Sequence, residues 1–190
     1  MTDLVSDTTD RSEQAQLGSV ARLLGELVLY EIDREQAVRL GQPELSGLLA
    51  GLGLELPAGL AEDDAARDEL AADYSRAMLL PEDGTGPLVQ SLHEEGSYEG
   101  RAVAAVRRFA KALGFEFDRE SARHVPPDHL GCELLLWANL LDRDPELSDR
   151  FAAEHLVWAL EPLKRRAADA GFYGSLAEVT RRFLEVLTQD

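Results

Sequence analysis

Hydrophobic residues recur every three or four positions along most of the chain, which is the spacing of one buried face of an α-helix. No stretch shows the strict alternation that is typical of half-buried strands. Leu17, Val20 and Leu24 begin the pattern and predict a first helix over residues 12–32. Short helical pieces are predicted within 34–52, the second of them opened by Pro43. Longer helices are predicted over 61–80 and over 98–113, the latter ended by Gly114. Three more are predicted to start near Leu130, Leu147 and Leu176.

Prolines and glycines divide this pattern. Pro81 is expected to end the 61–80 helix at the turn-rich loop "PEDGTGP", and Pro162 to kink or end the helix that starts near Leu147. Residues 112–127 form the only candidate hinge. We therefore predict an all-α fold, a single globular domain over residues 1–190 with about eight to ten helices in two lobes joined by that hinge.

Composition narrows the class of protein. The chain has 190 residues, 45% of them hydrophobic, which is enough for a sizeable core. Its one cysteine, Cys132, excludes an internal disulfide and fits a reducing compartment. The acidic N-terminal residues do not resemble a secretory signal, and no apolar run is long enough to cross a bilayer. We expect a cytoplasmic protein without stable membrane insertion.

The net charge is −17, which argues against nucleic acid as a partner because phosphate binding needs Lys and Arg. Residues 55–100 carry 12 acids and 2 bases, a net charge of −10. A basic peptide would be attracted to such a surface. The same acids would equally serve as a solvated face that keeps the protein soluble, so the charge alone leaves both interpretations open.

Sequence signatures of catalysis are missing. The loop "PEDGTGP" lacks the lysine of a phosphate-binding loop, and no Cys-x-x-Cys or Gly-x-Ser-x-Gly occurs. His124 and His129 are five apart with two prolines between them, whereas helical metal-binding histidines are usually four apart. We therefore predict no catalytic residue, no metal site and no cofactor.

The stretch "VPPDHLGCELLLWANLL", residues 125–141, places a charged residue and a titratable one before a very apolar helix. Asp128 could accept backbone N–H groups as a cap at the helix start, where the helix dipole favours a negative charge. Alternatively, the carboxylate of Asp128 beside the imidazole of His129, above an apolar groove, could receive a cationic peptide whose next segment is hydrophobic.

Several motifs, in order, resemble the TorD/DmsD family of redox-enzyme maturation chaperones, to which NarJ-type proteins are related. The resemblance covers residues 70–187, and "PPDHLGCELLLWANLL" is its most specific part. The other motifs are "YSRAMLLPEDGTGPLVQS" with Tyr74, Pro87 and Ser91, "HEEGSYEG" with Glu95 and Gly100, "FAAEHLVWALEPL", and "GFYGSLAEVTRRFL".

The chain departs from the family pattern in three places. His155 and Trp158 are three residues apart instead of the usual four, and Ala77-Met78 replaces a Leu-Phe pair. The aromatic residue that often stands beside the loop prolines is also missing. These changes affect the presumed peptide surface, so they bear on the identity of the client more than on the fold.

The resemblance implies a cytoplasmic, non-enzymatic chaperone. Such proteins bind the twin-arginine signal peptide, the catalytic subunit, or both, of a molybdenum-cofactor oxidoreductase, and support cofactor insertion before export or assembly. NarJ-like relatives serve reductases whose catalytic subunit is not itself exported. The resemblance also allows a monomer or a hinge-exchanged homodimer. The client enzyme itself cannot be identified from the sequence.

The predicted peptide-binding residues follow from the motifs and from charge. Carboxylates next to an apolar groove would suit a peptide with a basic end and an apolar core. Trp137 shares helical spacing with the neighbouring leucines and is expected in the core, and His155 is expected to be a core histidine bonded to backbone or a carboxylate. The predicted set is Asp128, Glu95 and Glu133 as charge partners, Tyr74 and Met78 as groove walls, and Ser91, Pro127 and His129 from the motifs.

Two other functions remain as alternatives. A metal- or nucleotide-dependent hydrolase would need bound metal or nucleotide turnover that the motifs do not indicate. A helical scaffold unrelated to redox enzymes would require the motif match to be accidental.

Overall fold

Helices form wherever the hydrophobic spacing predicts them, which confirms the all-α fold. The computed structural model describes residues 3–81, 86–115 and 125–188, and within these ranges the β pairing is limited to one bridge, between Val89 and His129. The α-helices are α1 Asp3–Leu29, α2 Arg34–Leu40, α3 Pro43–Gly51, α4 Asp64–Tyr74, α5 Gln90–Glu95, α6 Arg101–Leu113, α7 Leu130–Arg143, α8 Pro145–His155, α9 Leu160–Arg166 and α10 Phe172–Thr188.

The core is built around α7, which packs along α1 and against α8. Trp137 is almost fully buried, as predicted, and meets Phe183 of α10 edge to face at a centroid distance of 5.9 Å. Gly25 of α1 and Gly131 of α7 let the two helices approach closely. A Cβ at residue 131 would lie 2.7 Å from the carbonyl oxygen of Gly25 and 2.7 Å from the Cβ of Leu29.

The chain after α7 differs from the prediction at Pro162. The helix that starts at Pro145 ends at His155, seven residues earlier, and a 3₁₀ turn, Val157–Ala159, follows it. Pro162 then lies within the first turn of α9. A helix does not need the backbone N–H groups of its first turn for its own hydrogen bonds, so proline is tolerated there and produces no kink.

The predicted 61–80 helix is present as α4, continued by a π-helical turn, Ser75–Leu79. Arg166 is 1% exposed, and its guanidinium donates to the Ala77 carbonyl oxygen at 2.9 Å, to that of Pro162 at 3.3 Å and to that of Gly86. One buried arginine thus ties the π turn to the loop that follows it. Hydrophobic periodicity does not indicate this contact.

Residues 116–124, most of the predicted hinge, lie outside the described residues. The hinge, the two lobes and hinge exchange between subunits therefore stay predictions of the sequence.

Gly131→Ala should lower the free energy of unfolding by about 1–3 kcal/mol, because the new methyl group would overlap the backbone of α1. Gly47→Ala is the matched control: residue 47 is an exposed position of α3 whose added Cβ meets nothing within 4 Å. That control should raise the free energy of unfolding by roughly 0.5–1 kcal/mol through helix propensity. Urea denaturation of both variants measures the difference, and equal shifts would contradict the close helix approach.

Candidate functional site

The Asp-His turn joins the start of α5 to the start of α7. The Gln90 N–H donates to the Asp128 carbonyl oxygen, and the Leu130 N–H donates to that of Leu88, both at 2.9 Å. These bonds form the antiparallel bridge between Val89 and His129. We call residues 88–91 together with residues 128–130 the clasp, and it fixes where α5 begins relative to α7.

Asp128 caps α5 across the clasp. Its place in the sequence had suggested that it caps α7, the helix that follows it, but it does not. Its carboxylate accepts from the Ser91 N–H at 2.8 Å, while α7 is capped by the Nδ1 atom of His129, which accepts from the Gly131 N–H at 3.2 Å. Asp128 is fully buried. The predicted position of this carboxylate at an open rim is therefore wrong, because the side chain is enclosed and bonded to α5.

His129 is 4% exposed, and burial lowers its pKa to about 4, with the positive charge of Arg166 as a secondary cause. The imidazole is therefore neutral at physiological pH. Because Nδ1 accepts a hydrogen bond, the ring proton is placed on Nε2. His129 thus offers an uncharged N–H donor.

An open cleft of about 520 Å³ lies beside His129, between the end of α1, the end of α4 and the clasp. Tyr74 forms part of its wall and donates a hydrogen bond to the Leu29 carbonyl oxygen at 2.8 Å. Two of the large hydrophobic lining residues are well exposed, Leu79 at 41% and Tyr98 at 51%. The full lining is Leu29, Tyr30, Glu31, Asp33, Gln36, Tyr74, Leu79, Pro87, Val89, Tyr98, Val125, Pro126 and His129.

Among the described residues, the charges that line the cleft are all of one sign. Glu31 and Asp33 line it, no described Lys or Arg does, and His129 is neutral. Apolar walls raise the effect of such charges by excluding water. The cleft is therefore suited to a ligand that is part apolar and part cationic.

Of the eight predicted peptide-binding residues, the structure brings Tyr74 and His129 into the cleft lining. Glu95 instead accepts from the Arg101 N–H at 2.7 Å and bridges α5 to α6. The others lie outside the lining: Met78, Ser91, Asp128 and Glu133 are buried, and Pro127 is half-buried.

The sequence interpretation missed Glu31 and Asp33 because it looked for charge in residues 55–100. A signal was available: two acids separated by one apolar residue stand at the end of the first predicted helix, residues 12–32, which in the structure ends three residues earlier, at Leu29. Their relation to the Asp-His turn, about a hundred residues later in the chain, exists only in three dimensions.

Behind the clasp lies a layer of buried polar side chains. Glu133 accepts from the Trp158 indole N–H at 3.0 Å, and the Trp158 ring stacks on His93 at a centroid distance of 5.2 Å. His155 is buried as predicted, but its Nδ1 partner is the side-chain oxygen of Gln90 at 2.9 Å, neither backbone nor a carboxylate. Burial raises the pKa of Glu133 well above its ordinary value. The hydrogen bond from Trp158 acts in the opposite direction, and the nearby carboxylate of Asp128 raises the pKa further.

Within the described ranges, no three His, Cys, Asp or Glu side chains are grouped so that they could hold a metal ion, and His124 lies outside those ranges. Burial raises the pKa of the Cys132 thiol to about 12, so this cysteine is an inert core residue. Among the helices of the described chain, none has the length and apolar character to cross a membrane.

Comparison with known proteins points to one family. A family model described as the nitrate reductase delta subunit matches residues 35–166. The chain is also similar to a Haemophilus influenzae protein described as a Tat proofreading chaperone, DmsD, with 32% identity over 89 residues. That match covers 45% of this chain and 43% of the relative, less than half the length of either.

A solved structure gives the fold. A crystal structure from Archaeoglobus fulgidus, described as a redox enzyme maturation protein, aligns with 89% of this chain and 93% of its own, at a TM-score of 0.59 and 24% identity. At that identity the match supports the fold alone.

Glu133→Gln should remove a pH dependence of stability. The pKa of this carboxyl rises on folding. Its contribution to the free energy of unfolding is therefore fully present at a pH below its unfolded pKa, near 4.5, and is lost as the pH rises towards the folded pKa. The amide is uncharged and can still accept from Trp158. The free energy of unfolding of the variant, minus that of wild type, should therefore increase from pH 5 to pH 8.

Urea denaturation at several pH values measures this gain. Glu69→Gln, at an exposed position of α4, controls for the loss of a surface charge. A gain for Glu133→Gln that stays constant across the pH range would show that Glu133 is not held in its neutral form.

Proposed function

We propose a function from one premise: the chain belongs to the nitrate reductase delta subunit family. Its role is that of a cytoplasmic maturation chaperone for a molybdenum-cofactor oxidoreductase. It binds the twin-arginine signal peptide, the catalytic subunit before cofactor insertion, or both, and holds the subunit until it is ready for export or assembly. The relative described as a Tat proofreading chaperone supports this proposal.

The observation that carries the proposal is the cleft beside the Asp-His turn. Its volume of about 520 Å³ is in the range of ligand-binding pockets. It is large enough for a few side chains of an extended peptide, not for a whole signal sequence. A twin-arginine peptide has a cationic end and an apolar segment, and the cleft offers carboxylates and apolar walls in one place.

The proposed role is binding and not catalysis. His129 is engaged through Nδ1 in capping α7, and Cys132 is buried with a raised thiol pKa. The cleft lining contains no lysine or cysteine that could act as a nucleophile. None of the relatives is described as a hydrolase, so the comparisons give that alternative no support.

Truncating the exposed apolar wall should weaken peptide binding. Leu79→Ala combined with Tyr98→Ala removes the two most exposed apolar lining side chains. We expect at least a tenfold rise in Kd, since each buried methylene contributes about 0.8 kcal/mol. The measurement is fluorescence anisotropy with labelled twin-arginine signal peptides of molybdoenzymes from the source organism.

The matched control is Val157→Ala combined with Val186→Ala, two exposed apolar residues outside the cleft, at 45% and 66% exposure. This variant should bind like wild type. If no peptide of the panel binds wild type, the proposed function is wrong. If both double variants lose affinity equally, the function stands and the cleft is not the site.

A further inference from the structure

We propose that Glu31 and Asp33 form the contact for the paired arginines of the bound peptide, while the Nε2–H of His129 donates to the peptide backbone. This inference rests on the proposed function and assigns the recognition of charge within it. It replaces the three carboxylates expected from the sequence: Asp128 and Glu133 are fully buried, and Glu95 bridges α5 to α6.

The two acids lie in the short non-helical link between α1 and α2. Asp33 has extended backbone, with φ −80° and ψ −178°, and Ile32 between the acids is 2% exposed. In an extended segment, side chains two residues apart point to the same side, about 6–7 Å apart along the chain. With Ile32 turned into the core, Glu31 and Asp33 both line the cleft, where long arginine side chains can approach each carboxylate.

The carboxylate of Asp33 is held in place before any ligand arrives. One of its oxygens accepts from the Gln36 N–H at 2.8 Å, and the Gln36 side chain accepts from the Asp33 N–H at 3.2 Å. The second oxygen has no hydrogen bond from the described residues. A bidentate partner such as a guanidinium can therefore bind an acid whose orientation is already set.

Arg34, directly after Asp33, is exposed, and no cation of the described chain forms an ion pair with either acid. Arg39 of α2, the nearest helix, is paired with Glu26, and Arg22 with Asp142. Among the described residues, no ion pair uses Glu31 or Asp33. Elsewhere, as where Arg181 and Arg182 share Glu178, acids and bases of the chain neutralise one another.

His129 provides an independent reason to expect a peptide. The side chain is 4% exposed and lines the cleft, and Nε2, which carries the proton, has no acceptor among the described residues. This N–H is accessible from the cleft, so an acceptor bound there can reach it. A peptide carbonyl oxygen would satisfy it, whereas a simple cation would not. The cleft thus combines a backbone donor, apolar walls and two carboxylates.

The test is a comparison of two peptides with two proteins. One synthetic peptide carries the Arg-Arg pair of a bound signal sequence, and the other carries Gln-Gln in its place. Wild type should prefer the Arg-Arg peptide by about 30-fold or more, with affinity that falls as salt rises. Glu31→Gln with Asp33→Asn should bind both peptides about equally, with the salt dependence much reduced, since Asn still caps α2.

Two controls separate this contact from general charge and from folding. Glu35→Gln removes an exposed acid two residues away that does not line the cleft, and it should keep the preference for Arg-Arg. Asp128→Asn should change the affinity for both peptides by the same factor, because Asp128 acts through the clasp. Circular dichroism and thermal unfolding check that each variant keeps its helices.

The outcomes are distinct. If the double variant keeps the full Arg-Arg preference, the assignment of Glu31 and Asp33 is overturned while the chaperone function stands. If Asp128→Asn alone abolishes the preference, Asp128 is the charge contact after all. If wild type binds neither peptide, the proposed function fails and this inference fails with it.

Discussion

The clasp between the start of α5 and the start of α7 is the constraint on which the site depends. Asp128 accepts the first two N–H groups of α5, one with its backbone oxygen and one with its carboxylate. The carboxylate is buried, so the bond is formed without competition from water and would be costly to leave unmade. Val89 and His129, which this pairing holds side by side, become two adjoining walls of the cleft.

Burial sorts the titratable groups into two sets with different uses. Inside, desolvation lowers the pKa of His129 and raises that of Glu133, so burial favours the neutral form of both, and both act through hydrogen bonds. Outside, the carboxyl groups of Glu31 and Asp33 are exposed and line the cleft. An acidic residue in this protein is thus available to a cationic partner only where the fold leaves it near water.

Much of the fold follows from spacing alone. Helices recur where hydrophobic residues are three and four apart, and Gly114 ends α6 in the left-handed conformation at φ +62° that favours glycine. Trp137 is in the core because it shares helical spacing with the buried leucines of α7. The error at Pro162 has a local cause: a proline is compatible with the first turn of a new helix, and the sequence does not say which turn it occupies.

What the sequence by itself determined is the helical fold, the family and the presence of a special turn at Asp128 and His129. What only the tertiary structure decided is the partner of each polar side chain. Asp128 and His129 are neighbours in the chain, yet one caps α5 and the other caps α7. Periodicity tells which face of a helix is buried, because it depends on residues within one turn. It does not tell which distant link, such as that of Glu31 and Asp33, will border the same cleft, since that depends on how whole helices pack.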